Sequence, residues 1–292
     1  MAALKYWVWL AALPGVGSRV KLRLLEHFSS PEEIYYAQPE ELLLTGAVDK
    51  LQAKLLADKS LTRAEDVLAA CAKAGQFIVT MDDTTYPARL RDIFDPPLLL
   101  YGKGSMPIFD DEAAIAVVGT RKCTAYGLDV ASQLGYELAK QGALVLSGMA
   151  KGIDTAAMKG ALRAGGFTAA VLGGGVDVIY PAENRRLYED VAATGVLLSE
   201  YPPGTEPIAS HFPVRNRILS GLSLAAVVVE APERSGALIT ASTALEQGRE
   251  VFAVPGPINA PNSKGCNALI RDGAGLVSEA WDILSFYEGR FP

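Results

Sequence analysis

The stretch Ile115–Asp154, IAVVGTRKCTAYGLDVASQLGYELAKQGALVLSGMAKGID, decides the fold. Ile115 to Val118 have the length and β-branched content of a buried strand, and Gly119 breaks the run so that the chain can turn. Tyr126, Val130, Leu134, Leu138 and Ala139 then recur at helical spacing. Gly142 ends that helix, and Ala143 to Leu146 give a second apolar strand. Ser147-Gly148-Met149-Ala150-Lys151-Gly152 is a small-residue turn into another helix that begins near Asp154. Two strand-turn-helix units in succession imply a parallel, doubly wound sheet, with its ligand crevice at the turns that follow the strands.

Downstream the pattern continues. Phe167–Leu172, Val196–Leu198, Ala225–Val229 and Val251–Val254 read as strands, and Pro181–Val191 and Ser235–Gln247 as helices. Gly173-Gly174-Gly175 is a turn, Ser199–Ser210 a long loop, and Ser210–Arg217 is read as a further loop before a helix at Ile218–Leu222. Ala268–Ile270 and Trp281–Phe286 are terminal helices. Upstream, Phe77–Thr80 and Pro97–Tyr101 extend the edge of the sheet, and Met106–Glu112 is a surface loop. Residues 1–72 read as helical throughout. There Leu13-Pro14-Gly15-Val16-Gly17 recurs as Leu44-Thr45-Gly46-Ala47-Val48, and Val20, Leu24 and Leu25 align with Leu51, Leu55 and Leu56. The expectation is an extended Rossmann-like, doubly wound, mostly parallel α/β sheet in residues 73–292, preceded by a small all-helical domain of the SAM or helix-hairpin-helix kind. The turn amides of such a hairpin can hold a phosphate beside Arg19, Lys21 and Arg23, or the helices can serve only as packing.

Composition narrows the classes of function. Half of the 292 residues are apolar, enough for one sizeable core with a smaller appendage. The net charge of −6 argues against indiscriminate binding of polyanions, so a nucleic-acid surface has to be a local patch. Tyr6–Leu13 is too short for a membrane span and lacks the form of a leader peptide. It reads as a buried helix, and no later run is long enough to cross a bilayer. Cys71, Cys123 and Cys266 are scattered, which suits a reducing cytoplasm, and with only His27 and His211 there is no metal-ligand spacing and no cofactor is expected.

Chemistry is expected at the turns. Gly119-Thr120-Arg121, Ser147 to Gly152 and Gly173-Gly174-Gly175 leave backbone amides open to an anion, each ahead of a helix. Arg121 and Lys122 follow the first turn and Lys151 lies in the second, while Arg185 and Arg186 open the helix after the third. Phe212, Arg215, Asn216 and Arg217 add a ring, two guanidinium groups and an amide, the means of holding phosphates and stacking an unpaired base. Ser235 and Gly236 open a further helix. Phe212 can equally be a core ring, and Arg215 and Arg217 can instead pair with Glu200 or Glu230. A dinucleotide fingerprint and a Walker loop are both missing. Ser147, Ser199, Ser220 and Ser235 share His211 as their one possible imidazole base, and there is no nucleophile elbow. Asp154, Asp177, Glu200 and Glu230 can form a carboxylate pair or, more simply, cap helices and orient arginines.

These blocks, in this order, resemble the DprA (Smf) DNA-processing family. The resemblance rests on Val118–Arg121, Ser147–Asp154, Gly173–Pro181, Ser199–Pro202, Phe212–Ser223, Val229–Ala231, Arg234–Ala241, Gly248–Gly256 and Gly265–Ala274, and covers about residues 75 to 286. It implies an extended Rossmann domain that binds single-stranded DNA, protects it and hands it to the RecA recombinase in natural transformation, with a helical N-terminal domain and a homodimer through the Rossmann domain near Cys266–Ile270. It also implies that Arg121 and Phe212 form the DNA pocket. A lysine that some members carry three residues before that phenylalanine is Ala209 here. Many members have a C-terminal winged-helix domain, whereas this sequence stops at Pro292 soon after the last Rossmann helix. The rival readings are a phosphoribohydrolase on the same fold, whose Pro-Gly-Gly-x-Gly-Thr block is replaced here by Arg234–Thr240, and a nucleotide-sensing module.

Overall fold

Every residue of the strands Ala114–Val118, Leu144–Ser147, Thr168–Val171, Val196–Ser199 and Ala225–Val228 is buried, so these runs are apolar on both faces, as strands covered by helices on each side must be. The computed structural model describes residues 3–291. Its sheet has nine strands: β1 (Phe77–Thr80), β2 (Leu99–Gly104), β3 (Ala114–Val118), β4 (Leu144–Ser147), β5 (Thr168–Val171), β6 (Val196–Ser199), β7 (Ala225–Val228), β8 (Glu250–Ala253) and β9 (Gly275–Leu276). They lie in the order β1-β2-β6-β5-β4-β3-β7-β8-β9. From β6 to β9 all neighbours are parallel, while β2 runs antiparallel to β6 and β1 antiparallel to β2. The chain winds outward from β3 through β4, β5 and β6, then returns to place β7 on the other side of β3. The order therefore reverses at β3, and the crevice of a doubly wound sheet opens there.

On one face the helices Ala125–Lys140 and Ile153–Arg163 cross closely. A Cβ on Gly135 would strike the carbonyl of Ala157, and one on Gly160 the carbonyl of Ser132, so glycine lets the two backbones meet. The other face carries the helices His211–Leu222 and Gly236–Glu246. Ser210–Arg217 is therefore mostly helical. Pro213, which suggested a loop, sits in the first turn of that helix, where no backbone amide needs a helical partner. Met106–Glu112 is not wholly at the surface either, since its 3-10 turn Phe109–Asp111 buries Phe109. Tyr86–Arg91 includes a single helical turn, Ala88–Arg91.

The N-terminal residues form the helices Leu4–Ala12, Ser18–His27, Pro31–Tyr36, Pro39–Leu44, Lys50–Leu56 and Thr62–Lys73. Tyr6 to Leu10 are all buried, which makes the apolar first helix part of the core. Gly15 and Gly46 both take the left-handed conformation, at φ 75° and 67°, and each is followed by a buried residue, Val16 and Ala47. The two turns thus correspond, but the second holds one more residue before its helix, whose N-cap is Asp49 where the first has Gly17. Consequently Leu24 matches Leu56 as the fully buried position, which corrects the pairing of Leu24 with Leu55 by one residue. The nearby cations hold this unit together. Buried Lys21 donates to Ala11 O at 2.7 Å, with burial lowering its pKa to about 8, and Arg23 donates to Ala47 O in the second hairpin at 2.9 Å. Arg19 lies over the ring of Phe94, 3.9 Å from its centroid. The apolar residues of the helices form one continuous cluster with Leu98, Leu99, Tyr101 and Leu197 of the sheet.

Helix propensity alone predicts that Gly160→Ala stabilises the protein by about 1 kcal/mol. The close crossing predicts the opposite, a loss of at least about 2 kcal/mol in urea denaturation. A gain in stability would contradict the crossing.

Candidate functional site

Three turns meet at the carboxyl edge of the sheet, and their approach is set by residues without side chains. A Cβ on Gly152, whose φ is 81°, would lie 2.6 Å from the carbonyl oxygen of Thr120, so the turns after β3 and β4 touch there. Glu230, just beyond β7, supports the first turn. Its carboxylate accepts from Thr124 N at 2.8 Å and Thr124 Oγ1 at 2.6 Å, and its carbonyl accepts from Thr120 N at 2.7 Å. Asp154 supports the second turn by accepting from Gly148 N at 3.1 Å and Ala150 N at 3.3 Å. Burial raises the pKa of that carboxyl, against the pull of nearby Arg215. Between those two amides Met149 is left-handed at φ 59°, and its carbonyl accepts from Asn184 Nδ2 at 2.8 Å.

The helix His211–Leu222 closes the crevice from the other face. Arg215, 5% exposed, donates from Nη1 to Gly148 O at 2.9 Å and also to Val171 O, so one guanidinium joins the ends of β4 and β5. Burial lowers its pKa to about 10, with Asp154 acting against the fall. Gly148 is glycine because a Cβ would meet that guanidinium at 2.5 Å. Arg217 donates from Nη2 to both carboxylate oxygens of Glu200, at 2.7 and 2.9 Å, and from Nε to Asp95 at 3.3 Å. Burial disfavours its charge, but Glu200 and Asp95 more than reverse this and raise its pKa.

Phe212, half-buried, comes to rest against Gly173, where a Cβ would stand 3.0 Å from the ring. The guanidinium carbon of Arg121 lies 5.0 Å from the ring centroid, and Tyr180 packs at 5.7 Å. Phe212 and Arg121 divide the crevice into two chambers. The larger, about 300 Å³, is bounded by Gly119, Thr120, Lys122, Asn216, Arg234 and Ser235, and the smaller, about 50 Å³, by Gly148, Lys151, Gly173, Gly174, Tyr180 and Pro207. Arg121, Lys122 and Arg234 are exposed, and among the described residues none has a carboxylate within 4.0 Å.

Of the residues singled out in the sequence, Gly119, Thr120, Arg121, Gly148, Lys151, Gly173, Gly174, Phe212, Arg215, Asn216, Ser235 and Gly236 line these chambers. Gly152 sets the spacing of the first two turns. Arg217 lines neither chamber. Ser147 is fully buried and donates to Val117 O at 2.7 Å, a bond between strands. Gly175 lies under the Pro202–Pro207 loop, where a Cβ would stand only 2.8 Å from the carbonyl oxygen of Pro202. Lys151 pairs with Glu183, and Ser235 caps its own helix by accepting from Ala237 N at 3.3 Å. Arg185 and Arg186 line neither chamber. Sequence reasoning assigned no role at the crevice to Arg234 or Tyr180. A cation immediately before the helix-capping Ser235 was the signal for Arg234, whereas nothing local marks Tyr180.

Fold and crevice together define a Rossmann-like α/β protein with a cationic, aromatic cleft at the switch point of its sheet. Residues 77–288 match the family DNA recombination-mediator protein A, and the chain belongs to that family, as the DprA resemblance implied. It is 45% identical over 217 residues to the DNA processing protein DprA of Bacillus subtilis, an overlap of 74% of this chain and 73% of that one. It is 38% identical over 284 residues to protein Smf of Synechocystis, covering 96% and 71%. The crystal structure of DprA from Streptococcus pneumoniae superposes with a TM-score of 0.84 at 35% identity, covering 96% of this chain and 97% of that one. A structure of DNA processing protein A from Helicobacter pylori, described for its single-stranded DNA binding mode, superposes with a TM-score of 0.66 at 30% identity, covering 74% and 97%.

The two kinds of arginine are expected to separate in unfolding experiments. Arg217→Met leaves Glu200 and Asp95 without their cation and lowers stability by about 3 kcal/mol, whereas Arg121→Ala changes it by less than about 0.5 kcal/mol. Equal effects in urea titrations would refute the distinction.

Proposed function

We propose that the chain binds single-stranded DNA in this crevice, with Phe212 stacking an unpaired base and Arg121, Lys122 and Arg234 holding the flanking phosphates. The observation that supports this most is the half-buried Phe212 ring beside an exposed, unpaired Arg121, at the edge where three turns converge. The larger chamber, about 300 Å³, has room for a single base, not for a stacked duplex. In this reading the protein is a cytoplasmic homodimer, joined through its sheet domain, that protects incoming strands and delivers them to RecA recombinase in natural transformation. The binding mode described for the Helicobacter pylori protein and the family membership support the single-stranded DNA binding in this reading.

The protein acts by binding and not by turnover. Asp154, the carboxylate at the larger chamber, already accepts from two amides and faces Arg215, and Glu230 is held by Thr124, so both acids are committed to supporting turns. The phosphoribohydrolase reading needs a carboxylate free to act on substrate.

Three phosphate contacts predict that log K falls with log salt at a slope of about −2. Fluorescence anisotropy of labelled dT oligomers across a salt series measures it, and a flat response would exclude the cationic cleft. In the same assay Phe212→Leu is expected to lose about 1 to 3 kcal/mol of affinity. Unchanged affinity in the folded variant would make Phe212 a packing residue only.

A further inference from the structure

A second cleft lies apart from the crevice. It has a volume of about 620 Å³ and lies where the helical unit meets the start of the sheet, lined by Trp7, Arg19, Arg23, Met81, Phe94 and Pro96. Phe94 is 75% exposed, with the Arg19 guanidinium over one face of its ring. This repeats the arrangement of Arg121 on Phe212.

The topology puts both pairs on one edge. β1 is antiparallel to β2, and β2 to β6, so Thr80 at the end of β1, Leu99 at the start of β2 and Ser199 at the end of β6 all lie on the side of the sheet where β5 ends at Val171. Reading along that edge from the crevice, the order is β3, β4, β5, β6, β2, β1. Four strand spacings of about 4.8 Å separate the turn after β3 from the entry to β2, about 19 Å, a distance that a few nucleotides can bridge. The interval is itself aromatic: Tyr201, just after β6, stacks on His211 at 4.0 Å, and His211 precedes Phe212. One side chain fixes these carriers relative to one another. Arg217, on the helix that bears Phe212, binds Glu200 beside Tyr201 and Asp95 beside Phe94.

We infer that the junction cleft is a second base-stacking station for the same strand, in which Phe94 and Arg19 hold an unpaired base several nucleotides from the one on Phe212. This rests on the reading of the crevice as a single-stranded DNA site. Glu26 and Asp82 also line the cleft and offset Arg19 and Arg23. The station therefore holds the base by its face, while the phosphates remain with the crevice.

The test compares dT oligomers of about 3 and about 20 nucleotides, the first too short to place a base on both stations. Phe94→Leu keeps an apolar side chain but removes the aromatic face. It is expected to weaken binding of the longer oligomer about 5-fold or more, with the shorter one unaffected, and Phe94→Trp is expected to restore the longer one. If Phe94→Leu binds the longer oligomer as the unaltered protein does, or weakens both lengths alike, the second station does not exist. If the unaltered protein binds neither length, the crevice reading fails and this inference falls with it.

Discussion

The buried guanidinium of Arg215 is the contact on which the crevice depends. The carbonyls of Gly148 and Val171 end adjacent parallel strands inside the protein, and Arg215 reaches both from the helix on the opposite face. A buried arginine is costly unless it is paired and bonded, and here the two carbonyls bonded to Nη1 and the charge of nearby Asp154 offset that cost, although Nε has no partner among the described residues. With Arg215 anchored, the helix can take only one position along the edge. That position sets Phe212 against Gly173 and under Arg121. The ring is held at the base of a crevice by an interaction made one turn away from it.

The same economy governs charge. Four cations that look available in the sequence, Lys21, Arg23, Arg215 and Arg217, are tied to carbonyls or carboxylates within the fold. Arg121, Lys122 and Arg234 remain unpaired around one chamber. A chain of net charge −6 thereby presents a small cationic patch, which favours a local, stacked encounter with a flexible strand over adhesion to any polyanion.

Most of the sheet was legible because parallel strands covered on both faces are continuous apolar runs, and Ile115–Val118, Ala143–Leu146 and Ala225–Val229 are all of this kind. The glycine turns were legible as turns, but not the reasons for each glycine. Gly148 answers to Arg215, Gly152 to Thr120 and Gly173 to Phe212, partners 67, 32 and 39 residues away in the chain by difference of their numbers. The helix from His211 was hidden by Pro213, since a proline in a first helical turn and a proline in a loop look alike locally. Which arginines were free was also hidden. Asp95, the partner that joins Glu200 in holding Arg217, lies 122 residues earlier, and no local pattern connects them. The helical repeat was visible through its two glycines, and one extra residue in its second turn displaced the alignment beyond it.

The central claim is that a base stacks on Phe212 with its phosphate beside Arg121. A crystal structure of the protein with a short dT oligomer measures this directly. The account predicts a thymine face-on to the Phe212 ring and a phosphate oxygen within hydrogen-bonding distance of the Arg121 guanidinium. A strand bound elsewhere on the surface, with the Phe212 ring still packed only against Gly173 and Tyr180, would contradict it.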